Sequence, residues 1–306
     1  MRERSLVAFT VLGQAAVGLL TALVAVRWVV AVPEAWARVA GTGSGVAGAG
    51  RAAVVDGWLL APLLAVGVLL AAASAAAVLH LGSPRNAWRA LTGLGSSWLS
   101  REILLAVAFG VTWLLATVLI AAGAGSAGLR AWVLTVAVLP GLGLVYAMAR
   151  VYRLRTVPVW DTVLTPTGFF LTTAVLGSLG AALALALAGP GWEPAIRGLA
   201  WVAMAGLMAE LALLPLVRGQ VAAGRRAADP GLWRDLPGRW ATVGRAALLG
   251  AALVASAGAL FMATVGAGTV GMTLVPPSLA AALVASAAGE VVGRAAFYAG
   301  YARVGM

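Results

Sequence analysis

Eight apolar runs, each long enough to cross the hydrocarbon core of a bilayer, dominate this sequence. A crossing helix needs about 20 mostly apolar residues, and the runs fall at 5–30, 57–80, 102–123, 131–150, 165–189, 195–217, 241–265 and 272–298. Lipid cannot satisfy the backbone groups of an open sheet, and every run is too long and too evenly apolar for a barrel strand. The expected fold is therefore all-α, a polytopic membrane helix bundle with eight transmembrane helices, forming a single integral membrane domain over 1–306. The longest links, 33–56, 81–101 and 218–240, are too short to make an extramembrane domain, and no internal repeat is visible. The first run follows a basic start, but it is longer than a signal-peptide core and lacks a small-residue cleavage site, so it reads as a retained span.

Composition narrows the class. Hydrophobic residues make up 62% of the chain and charged residues only 10%, which excludes a soluble domain. All 21 basic residues are arginine, and the net charge is +11. These arginines lie in short links between apolar runs, so membrane lipid or a docked protein is the expected partner and nucleic acid is not. Eight spans put both termini on one side, together with the links 81–101, 151–164 and 218–240. That side carries sixteen of the 21 arginines, against five (Arg27, Arg38, Arg51, Arg130, Arg197) on the other. The positive-inside rule makes the richer side cytoplasmic, in a multi-pass cell-membrane protein.

The sequence has no cysteine and one histidine. It therefore holds no disulfide, no iron–sulfur cluster and no thiolate metal site, and it cannot build a bis-histidine haem or a structural zinc site. Any electron carrier has to come from outside.

His80 ends the second run and Glu102 opens the third, so an antiparallel helix pair returns both to the same membrane face. With reference pKa values of about 6.5 and 4.3, the two groups are suited to accepting and passing protons near neutral pH. The plain alternative is a histidine satisfied by a helix-end carbonyl, and the residues alone leave both readings open. The connector between them opens with the turn-forming Gly82, Ser83 and Pro84. Arg85 and Arg89 follow at a four-residue spacing, suited to a phosphate or a carboxylate, or to simple surface anchoring.

The link after the fourth run sets Tyr146, Arg150 and Arg153 on one helical face, then crowds Tyr152, Arg155, Thr156, Trp160 and Asp161 around Pro158. In the last run Glu290, Arg294 and Tyr298 stand at four-residue steps. A Glu290–Arg294 pair there would offset the cost of burying either charge, as a buried ion pair or as part of a site. Glu210, in the sixth run, has no evident partner in its own helix and is a candidate for a proton path.

The stretches "HLGSPRNAWRAL…SSWLSREI", "ARVYRLRTVPVWDT" and "GEVVGRAAFY", set in an eight-span plan, resemble the membrane anchor subunit of dimethyl sulfoxide reductase. The resemblance covers nearly the whole sequence. It implies a haem-free subunit that binds and oxidises menaquinol and passes the electrons to a four-cluster iron–sulfur subunit. That partner feeds a molybdopterin catalytic subunit, which holds the molybdenum cofactor and reduces dimethyl sulfoxide or a related substrate. On this resemblance the family's quinol histidine and glutamate fall on His80 and Glu102. The quinol pocket would comprise His80, Gly82, Ser83, Pro84, Arg85, Trp98, Arg101, Glu102, Tyr152 and Arg155. Arg89, Arg150, Arg153 and Trp160 would dock the iron–sulfur partner. The competing class is a secondary transporter, which also has many spans and a few intramembrane charges but usually interrupts its helices near the bilayer midplane.

Overall fold

A run of residues that suits lipid folds as a helix because only a helix pairs every backbone N–H and C=O within the segment. The computed structural model describes residues 2–39, 45–80, 92–228, 238–265 and 269–299, with side chains over 4–29, 57–78, 92–223, 240–265 and 273–299. Among the described residues all regular structure is helical: α1 (Arg2–Val39), α2 (Gly45–His80), α3 (Trp98–Ala121), α4 (Ala127–Tyr152), α5 (Leu164–Ala188), α6 (Glu193–Ala228), α7 (Gly238–Val265) and α8 (Thr269–Ala299). Each contains a stretch long and apolar enough to cross a membrane.

The expected spans are recovered, but several ends move. Residues 33–39 and 45–56, expected as link, belong to α1 and α2. This stretch is rich in alanine, the best helix former, which offsets its glycines. For the same reason α6 runs through "GQVAAGRRAA" to Ala228 instead of stopping at 217. Helix α3 starts at Trp98, four residues ahead of the expected start. Ser97 caps it there by accepting a hydrogen bond from the backbone N–H of Ser100 at 3.3 Å. Pro62, Pro140, Pro215, Pro276 and Pro277 all sit inside helices that continue past them.

The tertiary arrangement contains a repeat. Within the first four helices α1 packs on α2 and α4, and α3 packs on α4. Within the second four, α5 packs on α6 and α8, and α7 packs on α8. Four crossings return the polypeptide to its starting side, so both halves present equivalent ends to the same face. The two meet chiefly where α1 crosses α5. At that crossing a Cβ on Gly18 would collide with the carbonyl of Thr173, and one on Gly177 would collide with the backbone of Gly18. Small residues allow this backbone-to-backbone approach, as is common between membrane helices. As a result α1 and α5 are the central helices, with 67% and 56% of their spans buried, against 22% for α3. One hydrophobic core runs through both halves, including Leu20, Leu23, Phe109, Leu144, Phe169, Leu179 and Leu249. Val107, Val111, Leu114 and Val118 leave the outer face of α3 apolar and exposed to lipid.

Candidate functional site

The two ends of the bundle use their arginines differently. At the end holding Arg27, Arg130 and Arg197, guanidiniums bond to backbone carbonyls. Arg27 donates to Ala127 O at 3.2 Å, Arg130 to Gly125 O at 2.7 Å and Arg197 to Ala263 O at 3.2 Å. These bonds tie guanidiniums to a turn and to helix ends: Gly125 in the α3–α4 turn, Ala127 at the start of α4 and Ala263 near the end of α7. At the opposite end, where the sequence places most arginines, the polar groups form a more varied collection.

Glu102 lies in the second turn of α3, at this end, and is 5% exposed. Among the described residues no hydrogen bond or ion pair reaches its carboxylate. It lies within electrostatic reach of Tyr152, at the end of α4, and Tyr298, near the end of α8. The two tyrosine rings are 5.2 Å apart, and the Tyr298 hydroxyl donates to Thr10 Oγ1 of α1 at 3.4 Å. Tyr152 also meets Trp160, Phe169 and Phe297 at centroid distances of 5.6, 6.1 and 5.7 Å, so it is the hub of an aromatic cluster. Of His80, the structure describes only the backbone, which closes α2 at this same end. Gly82, Ser83, Pro84, Arg85 and Arg89 lie outside the described residues.

Several side chains named from the sequence are engaged differently from the expectation. Arg101 folds back on its own loop, donating to Leu94 O at 2.9 Å and Gly95 O at 2.8 Å. Its guanidinium stacks on Trp98 at 4.4 Å, and Arg150 also lies on that ring at 4.8 Å, with Tyr146 edge-on at 5.7 Å. Trp98 thus ties the start of α3 to the end of α4. Arg153 ends α4 and turns away from Arg150 to pair with Asp161 at 3.1 Å, both groups half-exposed. Arg155 is exposed.

Trp160 requires a correction. Expected on a docking surface, it is 8% exposed, and its indole N–H donates to Phe297 O at 2.9 Å while its ring stacks on Phe297 at 5.4 Å. The 153–163 link is a tight turn whose apolar residues Val157, Val159 and Trp160 pack against Val7 and Val11 of α1 and Leu176 of α5. Trp160 is therefore a wedge that seals the bundle end. An indole placed beside other aromatic rings and an unpaired helix-end carbonyl gains more by burial than by exposure.

The expected Glu290–Arg294 ion pair is a second correction. Glu290 pairs instead with Arg245 of α7 at 3.1 Å and accepts a hydrogen bond from Thr172 of α5 at 2.6 Å. The same guanidinium nitrogen of Arg245 reaches Glu210 of α6 at 3.2 Å. Arg294 donates to Gln14 of α1 at 3.1 Å and lies over Phe169 at 3.7 Å. Spacing along one helix brings residues near one another, but a neighbouring helix supplies better-placed partners when its charge has no other outlet. Sequence spacing does not point to Arg245, Thr172 or Gln14. An arginine inside the apolar run 241–265 is the signal that could have found the first of them.

Among the described residues no group of three or more metal-ligating side chains converges. These features define a class: a multi-pass membrane protein that buries ionisable groups, Glu102, Glu210, Glu290 and Arg294 among them, between its helices. The chain belongs to the DMSO reductase anchor subunit (DmsC) family, whose profile matches residues 1–300. It is 31% identical over 261 residues to the C subunit of the anaerobic dimethyl sulfoxide reductase of Escherichia coli, covering 81% of this sequence and 84% of that one. It is also 30% identical over 187 residues to the YnfH subunit of an anaerobic dimethyl sulfoxide reductase from the same organism, covering 60% of this sequence and 57% of that one. The corresponding C subunit from Haemophilus influenzae is 31% identical over 110 residues, covering 36% of this sequence and 39% of that one. No solved structure matches the protein significantly. The protein is thus a multi-pass membrane anchor of a dimethyl sulfoxide reductase.

Proposed function

We propose that this anchor oxidises menaquinol at the arginine-rich end of its first half and passes the electrons to an iron–sulfur subunit. A molybdopterin catalytic subunit then delivers them to dimethyl sulfoxide or a related oxide. Quinol oxidation releases two electrons and two protons and leaves quinone, so the pocket needs a base near one ring oxygen and a polar partner for the other. His80, at the end of α2, is the proposed base, and Glu102 receives or orients the proton. The observation that carries this reading is the burial of Glu102 without a paired cation among the described residues, close to the end where α2 finishes. A buried carboxylate is normally neutralised by a partner. One with no cation partner among the described residues and within electrostatic reach of two tyrosines is suited to taking a proton.

Arg89, Arg150 and Arg153 belong to the face we assign to the iron–sulfur partner, and Arg155, exposed at the same end, stays assigned to the quinol pocket. Electron transfer requires the quinol pocket and the first cluster to be close. Cross-links from that partner should fall on 81–101, 151–164 and 218–240. Cross-links to 124–130 would overturn the assignment. By the positive-inside rule this face is cytoplasmic, and a reporter fused to Met306 tests the compartment separately.

A secondary carrier is less well supported. The described helices run unbroken through their prolines, whereas carriers usually interrupt helices near the bilayer midplane.

The decisive experiment compares quinol-driven with dye-driven reduction of the terminal substrate in the assembled complex. His80→Ala should reduce the quinol-driven rate about a hundredfold or more, the usual cost of removing a general base, and leave the dye-driven rate intact. Glu102→Gln should cause a smaller loss. Normal quinol oxidation by His80→Ala would overturn the site. Because one histidine cannot ligate a haem from both faces, the purified subunit should show no reduced-minus-oxidised Soret difference.

A further inference from the structure

Three hydroxyls from three helices meet beside Glu102: Tyr152 at the end of α4, Tyr298 near the end of α8 and Thr10 of α1. Thr10 and Tyr298 are buried. Val157, Val159 and Trp160 of the 153–163 turn pack in one cluster with Tyr298, and Tyr152 lies against it. The hydroxyls therefore satisfy one another instead of bulk water.

The direction of this chain follows from its far end. Thr10 Oγ1 lies 2.9 Å from Leu6 O and 3.2 Å from Val7 O. A carbonyl only accepts and a hydroxyl has one proton, so the Thr10 proton is committed there. Its oxygen then accepts from the Tyr298 hydroxyl at 3.4 Å. With that proton given away, Tyr298 can only accept from Tyr152, to which it is hydrogen-bonded. All three protons thus run toward α1, and the Tyr152 oxygen is left with lone pairs to offer. Glu102 lies within electrostatic reach of it, and an ionised carboxylate is also an acceptor only. A quinol presents two hydroxyl donors, whereas the quinone presents two carbonyl acceptors. A phenol oxygen held as an acceptor pairs with the first and faces the second lone pair to lone pair, and a buried polar group left unpaired is costly.

We infer that Tyr298, acting through Tyr152, makes the quinol site favour the reduced ring over the oxidised one. The inference rests on the quinol reading above, with Tyr152 as the polar partner of the second ring oxygen. Tyr298 is a positioning residue, and α8 supplies it, so the second half of the bundle sets the selectivity of a site built on the first. Loss of two electrons and two protons turns a ring that fits the acceptor into one that does not, which favours release of the product.

The test uses the assembled, membrane-bound complex with menadiol as donor and menadione as competing product. Membrane-bound dye-driven activity reports assembly. The readout is the menadione inhibition constant divided by the menadiol KM. Tyr298→Phe keeps the ring contacts but removes the acceptor of the Tyr152 proton, which can then turn into the pocket. The ratio should fall about fivefold, the factor equivalent to one hydrogen bond of roughly 1 kcal/mol. Thr10→Val keeps the volume and removes the acceptor of Tyr298, which then donates to Tyr152 and reverses the chain, so the ratio should fall in the same sense. An unchanged ratio in either assembled variant would overturn the inference, even if both constants rise together, as a purely structural role predicts. His80→Ala keeps the two claims apart. A normal quinol-driven rate there removes the quinol site itself, whereas a collapsed rate beside an unchanged ratio in Tyr298→Phe removes only the role of Tyr298.

Discussion

Glu102 in the first half and Glu290 in the second are buried to nearly the same degree, 5% and 2% exposed, yet they are treated in opposite ways. Glu290 is held by Arg245 and Thr172, and the same arginine holds Glu210, so helices α5 to α8 share one polar knot. Glu102 has no such partner among the described residues and lies within electrostatic reach of Tyr152 and Tyr298. A carboxylate paired with a guanidinium is favoured in its charged form and contributes to the fold. A carboxylate buried without a cation is costly to keep charged, and that cost is tolerated where protons move. The two halves share one packing plan and differ in how the described residues surround their buried carboxylates.

The sharpest way to break this comparison is to remove the knot's centre. Arg245→Met leaves two buried carboxylates without their cation, and breaking a buried pair in this way costs about 3–5 kcal/mol. The thermal midpoint of the detergent-solubilised protein should fall steeply, while Glu102→Gln, which breaks no pair among the described residues, should leave it nearly unchanged. Equal shifts would mean that the two carboxylates play the same role.

A step smaller is the seam between the halves. Gly177→Val drives a side chain into the backbone of Gly18, and rotation cannot relieve that clash. Overpacking of this kind costs on the order of 3 kcal/mol. It should loosen the halves from each other, seen as increased amide exchange in α1 and α5 before the outer helices. Smaller again is Trp160→Phe, which keeps most of the ring contact with Phe297 but deletes the 2.9 Å bond to its carbonyl. A lost hydrogen bond of this type costs about 1 kcal/mol. Because Trp160 is a wedge and not a docking residue, partner assembly should survive the substitution.

The sequence is informative where local physics decides. Lipid permits only helices, so eight apolar runs mean eight helices, and α3 through α5 lie within a few residues of where the pattern puts them. The other helix ends are less legible. The Ser97 cap that starts α3 early lies in a stretch of serines and glycines that also reads as loop, and the Ala- and Arg-rich tail of α6 reads as a link by charge and as a helix by propensity. The side-chain partners are the least legible. Periodicity puts Arg153 on a face with Arg150, but the end of α4 turns it toward Asp161. Glu290 and Arg294 are one turn apart on α8, and each finds its partner on another helix.

The amino-acid order by itself determined that this is an eight-helix membrane protein, that both termini share one face, that most of its arginines gather on that face, and that it holds no cysteine and a single histidine. These follow from composition and from the length of each apolar run, which no packing arrangement can change. Only the tertiary structure decided that the helices form two similarly packed halves joined at Gly18 and Gly177, that Trp160 points inward, and that Arg245 ties Glu210 to Glu290 while Glu102 is buried with no ion-pair partner among the described residues. Those outcomes depend on which faces of distant segments meet, and lipid, being equally apolar on every side of a helix, leaves that choice to close packing and to the few buried charges that must find one another.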